Sequence, residues 1–296
     1  MSEVRIDSLL PAEMATRAEY LGVRKAEMPA FTMLMLAILA GAFIALGAIF
    51  ATTVSAGGMP VVAADGSAAF STGLPYGVTR LLTGLVFCLG LILVVVGGAE
   101  LFTGNNLIVM AWASGKVTTR GLLRNWGIVY LGNFIGAIGT AILMFFARQY
   151  TFGSDAVGIA ALKIAVAKCD LDFLQATALG ILCNGLVCLA VWLTYSARTT
   201  LDKIVSIIFP ISAFVAAGFE HSIANMYFIP YALLVKMFDP AFIEKVAEKV
   251  PNLEALTWQA FFVNNLVPVT IGNIIGGVGL VAAIYWAVFL RGKKDQ

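Results

Sequence analysis

The sequence predicts an all-α membrane protein: six transmembrane helices arranged as two inverted three-helix repeats, with the second and fifth helices broken. Three observations carry this. Of 296 residues, 60% are hydrophobic and only 12% charged, far from the roughly half apolar, quarter charged make-up of soluble domains. Six apolar stretches are each long enough to supply the about 20 residues that cross a hydrocarbon core. Finally, strings of glycine, glutamate and asparagine recur in the two halves at matching spacing.

The six stretches fall at 30–57, 80–110, 121–147, 172–196, 203–231 and 257–290. Runs such as Leu89–Ala99 and Phe31–Phe50 are apolar on every face, whereas barrel strands alternate, so the spans are helices. They form one membrane domain over 30–290, between an N-terminal arm over 1–29 and a tail over 291–296, with one longer loop at about 232–256. In the arm, mixed charges among apolar positions suit a membrane surface and do not resemble a signal peptide. Pro11 predicts the first turn of a helix running to about Leu21, with Gly22 as its stop.

An even number of spans puts both ends on one side. The arm, the tail and the connections after spans two and four hold twelve of the 19 Lys and Arg, leaving seven for the other connections. Both termini are therefore expected to be cytoplasmic. A net charge of +2 without a basic block excludes a nucleic-acid surface. Cys88, Cys169, Cys183 and Cys188 read as buried small hydrophobes, with no disulfide, metal or cofactor expected.

The repeat is the most informative feature. Gly98-Ala99-Glu100-Leu101-Phe102-Thr103-Gly104-Asn105 and Gly218-Phe219-Glu220-His221-Ser222-Ile223-Ala224-Asn225 share Gly, Glu and Asn at an offset of 120, and Gly132-Asn133-Phe134-Ile135-Gly136 returns as Gly272-Asn273-Ile274-Ile275-Gly276 at an offset of 140. Three spans per half is an odd number, so the second half enters the membrane from the opposite side. In such folds the working site lies near the midplane, between interrupted helices in corresponding positions. Polar groups at that depth are costly unless paired or facing a water-filled path, and non-helical backbone there must be covered or line a cavity.

Glu100 and Glu220 read as structural groups that cap backbone N–H freed at the breaks, alongside Asn105 and Asn225. His221 is the only histidine, lies beside a break and can change charge near physiological pH. Thr103 offers a hydroxyl at the corresponding break. Phe87, Leu91, Leu101, Phe102, Val187 and Phe214 surround this polar spot, either as packing or as constrictions that exclude hydrated ions; spacing leaves both readings open. An intramembrane enzyme built on Glu220 and His221 lacks a nucleophile or metal set, so no catalytic residues are expected. A water or glycerol channel is permitted by inverted repeats but lacks an Asn-Pro-Ala signature.

The segments 99–105 and 218–226, together with Asn265-Leu266-Val267-Pro268-Val269-Thr270-Ile271-Gly272-Asn273-Ile274-Ile275-Gly276-Gly277, closely resemble the formate/nitrite transporter family. The resemblance runs from Leu9–Ala12 to Leu290. It implies an aquaporin-like fold and a homopentamer in the lipid bilayer of a bacterial cytoplasmic membrane, with one pore per protomer. It also implies that His221 and Thr103 are the central polar pair with Asn265 nearby, that the six apolar residues line constrictions, and that Lys168 makes the anion's approach electropositive. The function implied is a passive, pH-dependent channel for formate or a similar small monovalent anion, with His221 as charge or proton partner and nitrite or hydrosulfide as alternative cargo. Two points of difference are Glu100, where one formate channel of the family has an aspartate, and a connection around Val61–Ser71 that is longer than expected.

Overall fold

A computed structural model describes residues 8–57, 60–62, 68–71 and 73–292; the start of the predicted arm and the end of the predicted tail lie outside these residues. Among the described residues, six helices are long and apolar enough to cross a membrane: Ala30–Ser55, Tyr76–Gly97, Thr119–Phe146, Phe173–Thr194, Thr200–Ala217 and Ala260–Phe289. These are α2, α3, α5, α7, α8 and α11. Between them lie α1 (Pro11–Glu27), a short α4 (Val109–Ala113), α6 (Ala156–Cys169), α9 (Ser222–Phe238) and α10 (Pro240–Val246). The 30-residue α11 is wound more widely over Ala260–Leu266 and Ile275–Ala282, as π-helical turns.

The tightest helix crossings pair α2 with α5 and α7 with α11, and glycine makes both possible. A Cβ at Gly132 would run into Ala37 and one at Gly136 into the Ile38 carbonyl. At Gly272 and Gly276 it would meet the carbonyls of Thr177 and Ile181. Small residues at such crossings let backbones approach in the way membrane helices require, because lipid provides no hydrophobic drive for their association. The third crossing, α3 on α8, brings Gly84 against the backbone of Ser212.

The helices depart from the sequence expectations in three places. Helix α1 does not stop at Gly22 but continues to Glu27; Gly22 is there because an added Cβ would lie 3.0 Å from Ala111 Cβ, so the glycine serves packing of α1 on the short α4. The connection at 148–171 contains the 14-residue α6, too short for a span and masked in hydropathy by Lys163 and Lys168. The loop begun at 232 is helical to Phe238, because Ala232, Leu233 and Val235 are buried in the core. The long connection around Val61–Ser71 holds an antiparallel two-stranded ribbon, β1 (Pro60–Val62) and β2 (Ala68–Ser71), with Pro60 opposite Ser71.

Candidate functional site

Helix α3 ends where Gly98 turns left-handed at φ 78°, and α8 ends at Gly218, also at φ 78°. Glycine adopts this geometry at no steric cost. Beyond each turn the chain leaves helical hydrogen bonding for a few residues, and both halves meet the freed groups in the same way. Glu100 N–H donates to the Leu36 carbonyl and Glu220 N–H to the Leu179 carbonyl, at 3.2 and 3.3 Å. Phe102 N–H donates to Asn133 Oδ1 and Ser222 N–H to Asn273 Oδ1, each at 2.9 Å. Asn133 Nδ2 donates to the carbonyls of Ala37 and Glu100, and Asn273 Nδ2 to those of Gly180 and Glu220. These asparagines are fully buried.

The capping role expected of the two glutamates thus belongs to Asn133 and Asn273. The carboxylates instead take side-chain donors, because each has a lysine within reach, and a cation satisfies a buried charge better than a peptide N–H does. Glu100 accepts from Lys25 Nζ and Asn105 Nδ2, both at 2.7 Å; Glu220 accepts from Lys168 Nζ at 2.6 Å and Asn225 Nδ2 at 2.7 Å. Asn105 Nδ2 continues to Asn125 Oδ1, whose Nδ2 donates to the Lys25 carbonyl. Likewise Asn225 Nδ2 continues to Asn265 Oδ1, whose Nδ2 donates to the Lys168 carbonyl. Two differences separate the sets: Lys25 also reaches Asn105 Oδ1, whereas Asn225 Oδ1 has no partner, and Asn265 Nδ2 also donates to Glu220 Oε2 at 3.1 Å, a bond that Asn125 does not make to Glu100.

His221 and Thr103 lie between these networks. Thr103 Oγ1 and His221 Nε2 are 3.0 Å apart, with the two residues 0% and 3% exposed. His221 Nδ1 accepts the Ala224 N–H at 3.1 Å as the cap of α9. That contact leaves the ring proton of the neutral imidazole on Nε2, aimed at Thr103. The imidazole stacks on Phe214, which meets Phe87 edge to face. Thr103 is held from behind: its carbonyl accepts from Asn184 Nδ2 and Cys188 Sγ, each at 3.3 Å.

Two cavities flank the pair. One, of about 560 Å³, is lined by Phe87, Phe214, Glu220 and His221 with Arg80, Lys163 and Lys168. The other, of about 290 Å³, is lined by Leu91, Glu100, Leu101, Gly104 and Asn105 with Arg17, Lys25 and Lys203. Thr103 lies between Leu101 and Gly104 of the second cavity and touches His221 of the first. Between these cation-lined cavities, an imidazole N–H and a hydroxyl offer paired donors to a small anionic acceptor.

The structure therefore brings together His221, Thr103, Phe87 and Phe214, with Leu91 and Leu101 on the far side of Thr103. Val187 is buried in the core but lines neither cavity. Phe102 turns its ring onto Trp126 and Tyr130, at the edge of an apolar groove between α5 and α11. Asn265 joins the Glu220 network and makes no hydrogen bond to His221 or Thr103. Sequence reasoning missed Lys25, Asn125 and Asn184. Asn125 stands 140 residues before Asn265, the offset of the Gly-Asn-x-Ile-Gly string, and could have been found by extending the repeat; Lys25 and Asn184 carry no such mark. The four cysteines are buried and unpaired.

Residues 12–287 match the family model for the formate/nitrite transporter. The chain is 44% identical over 287 residues to the formate channel FocA of Escherichia coli strain K12, covering 96% of each chain. Among solved structures it resembles a pentameric formate channel with formate bound, with a TM-score of 0.78 and 43% identity over 88% of this chain and 98% of that one. A second, more distant match is to an ion channel of the same family, with a TM-score of 0.74 and 24% identity, covering 93% and 98% of the two chains; this likeness speaks to the fold. Taken with the six apolar helices and the duplicated networks, these matches place the chain in the formate/nitrite transporter family.

Proposed function

We propose that the protein is a passive, pH-dependent channel for formate in a bacterial cytoplasmic membrane. It works as a homopentamer with one path through each protomer. The path runs through a single domain over 30–290 made of two inverted repeats in an aquaporin-like arrangement, with α3 and α8 as the first parts of two broken spans. The arm over 1–29 and the tail over 291–296 face the cytoplasm. The observation that carries this reading is the 3.0 Å contact between Thr103 and His221, set between two cation-lined cavities. Support comes also from the named formate channels among its relatives.

Formate must shed water to pass Phe87, Phe214, Leu91 and Leu101, and burying its charge uncompensated is prohibitive. At the contact, the His221 Nε2–H and the Thr103 hydroxyl turn from each other to the carboxylate and replace part of its hydration. His221 acts as charge or proton partner when its Nδ1 gains a proton, which requires the ring to release the Ala224 N–H. Passage and the first turn of α9 are coupled through that one nitrogen. No bond is made or broken in the substrate beyond this proton exchange, and the protein is not an enzyme.

The test is solute flux into proteoliposomes holding the purified protein, comparing formate, nitrite, hydrosulfide, chloride and glycerol on either side of the usual histidine pKa of about 6.5. Formate flux that exceeds chloride and glycerol and varies with pH supports the reading. Faster nitrite or hydrosulfide moves the cargo within the family. Glycerol passage without formate flux overturns it.

A further inference from the structure

The cavity on the His221 side is lined by three cations, Arg80, Lys163 and Lys168, and one carboxylate, Glu220. Lys168 is bound to Glu220 at 2.6 Å, so seen from a distance these two charges cancel. Arg80 is in a different position. Its Nε donates to the Ala216 carbonyl at 2.9 Å and its Nη2 to the Val215 carbonyl at 2.5 Å, and among the described residues no carboxylate pairs with it.

Those carbonyls belong to the last turn of α8, and Val215, Ala217 and Gly218 of that turn line the same cavity. A helix C-terminus carries about half a negative charge, so this end on its own repels an anion approaching His221. The guanidinium lies directly over it and, being a full charge against a partial one, leaves a positive excess. Gly218 eases the approach: a Cβ built there would sit 3.3 Å from Arg80 Nη2, close enough to crowd it.

Among the described residues, the other half has no such device. The position 120 residues beyond Arg80 is Thr200, and the cavity on that side draws its cations from Arg17, Lys25 and Lys203. We propose that Arg80 is an anion-recruiting residue of the His221 side, acting by covering the carbonyl end of α8 and adding to the positive charge that Lys163 also brings to this cavity. The inference rests on the formate-channel reading.

The experiment compares wild type, Arg80→Gln and Arg80→Lys in proteoliposomes, measuring initial formate flux against formate concentration and against inert salt. Arg80→Gln is expected to raise the half-saturating concentration about fivefold, a modest case of electrostatic focusing in a cleft, and to flatten the salt dependence. Arg80→Lys, which keeps the charge but not the two-pronged donor, restores most of both. Unchanged half-saturation and salt dependence in Arg80→Gln overturn the proposal, as does an Arg80→Lys protein as impaired as Arg80→Gln, since a helix-end cap alone would behave that way. Should Arg80→Gln fail to assemble on size exclusion, Arg80→Lys decides: a wild-type salt dependence supports recruitment by charge, and a lost one overturns it. A wild type that passes no formate overturns the functional reading, and this proposal with it.

Discussion

Thr103 Oγ1 and His221 Nε2 are 3.0 Å apart although 118 residues separate them in the chain. Each stands just past a left-handed glycine that ends a long helix, Gly98 for α3 and Gly218 for α8. The two halves thus place different chemistry on the same scaffold: position 101 is leucine where 221 is histidine, and position 223 is isoleucine where 103 is threonine. The matched hydrogen bonds of the two halves supply the frame, and the residues that differ at these positions supply one polar pair.

Removing the hydroxyl should slow passage without unfolding the protein. Thr103→Val is expected to lower formate flux roughly tenfold, the effect of losing one hydrogen bond to a charged group worth about 1.5 kcal/mol. Thr103→Ser should keep most of the flux. Stopped-flow uptake into proteoliposomes of matched protein content measures both.

The two buried asparagines that meet the freed backbone should be equivalent in stability. Asn133→Ala and Asn273→Ala each leave without partners one N–H and the one carbonyl that lies outside a helix, that of Glu100 or of Glu220, at a cost of about 3 kcal/mol. Thermal denaturation in detergent should show closely similar losses. A loss confined to one of them would mean that the two breaks are not built alike.

How much of this was legible in the sequence depends on the residue. The repeated Gly, Glu and Asn positions announce the two breaks because backbone leaving a helix in lipid needs specific residues at specific places, and those places recur at fixed offsets. His221 stands out by being alone. Helix α6 was hidden because its lysines dilute the hydropathy, although Lys168 turns inward to Glu220. Lys25 was hidden because an arm residue is tied to Glu100 only by the folding of α1 back onto the transmembrane body. The glutamates' donors could not be read because a cap and an ion pair ask for the same carboxylate.

Breaking one ion pair should cost more than removing it whole. Glu220→Gln leaves Lys168 beside a neutral group in a largely buried site, with an expected loss of about 3 kcal/mol. Glu220→Gln combined with Lys168→Met should recover part of this. Unfolding midpoints of the single and double variants form the double-mutant cycle that decides the sign of the coupling.

The two left-handed glycines should separate stability from passage. Gly98→Ala and Gly218→Ala each force a Cβ into a left-handed conformation, costing about 1 kcal/mol. Space around Gly98 is open, whereas a Cβ at Gly218 crowds Arg80. Similar falls in melting temperature are expected, with a clear drop in formate flux for Gly218→Ala alone.

The most direct measurement is formate flux through His221→Gln across the pH range that spans the histidine titration, set beside wild type in the same vesicles. Glutamine preserves size and hydrogen bonding but cannot carry charge. Flux that falls and loses its dependence on pH, with assembly intact on size exclusion, is the predicted result. Wild-type flux with an unchanged pH profile would contradict the assignment of His221 as the charge or proton partner of the passing anion.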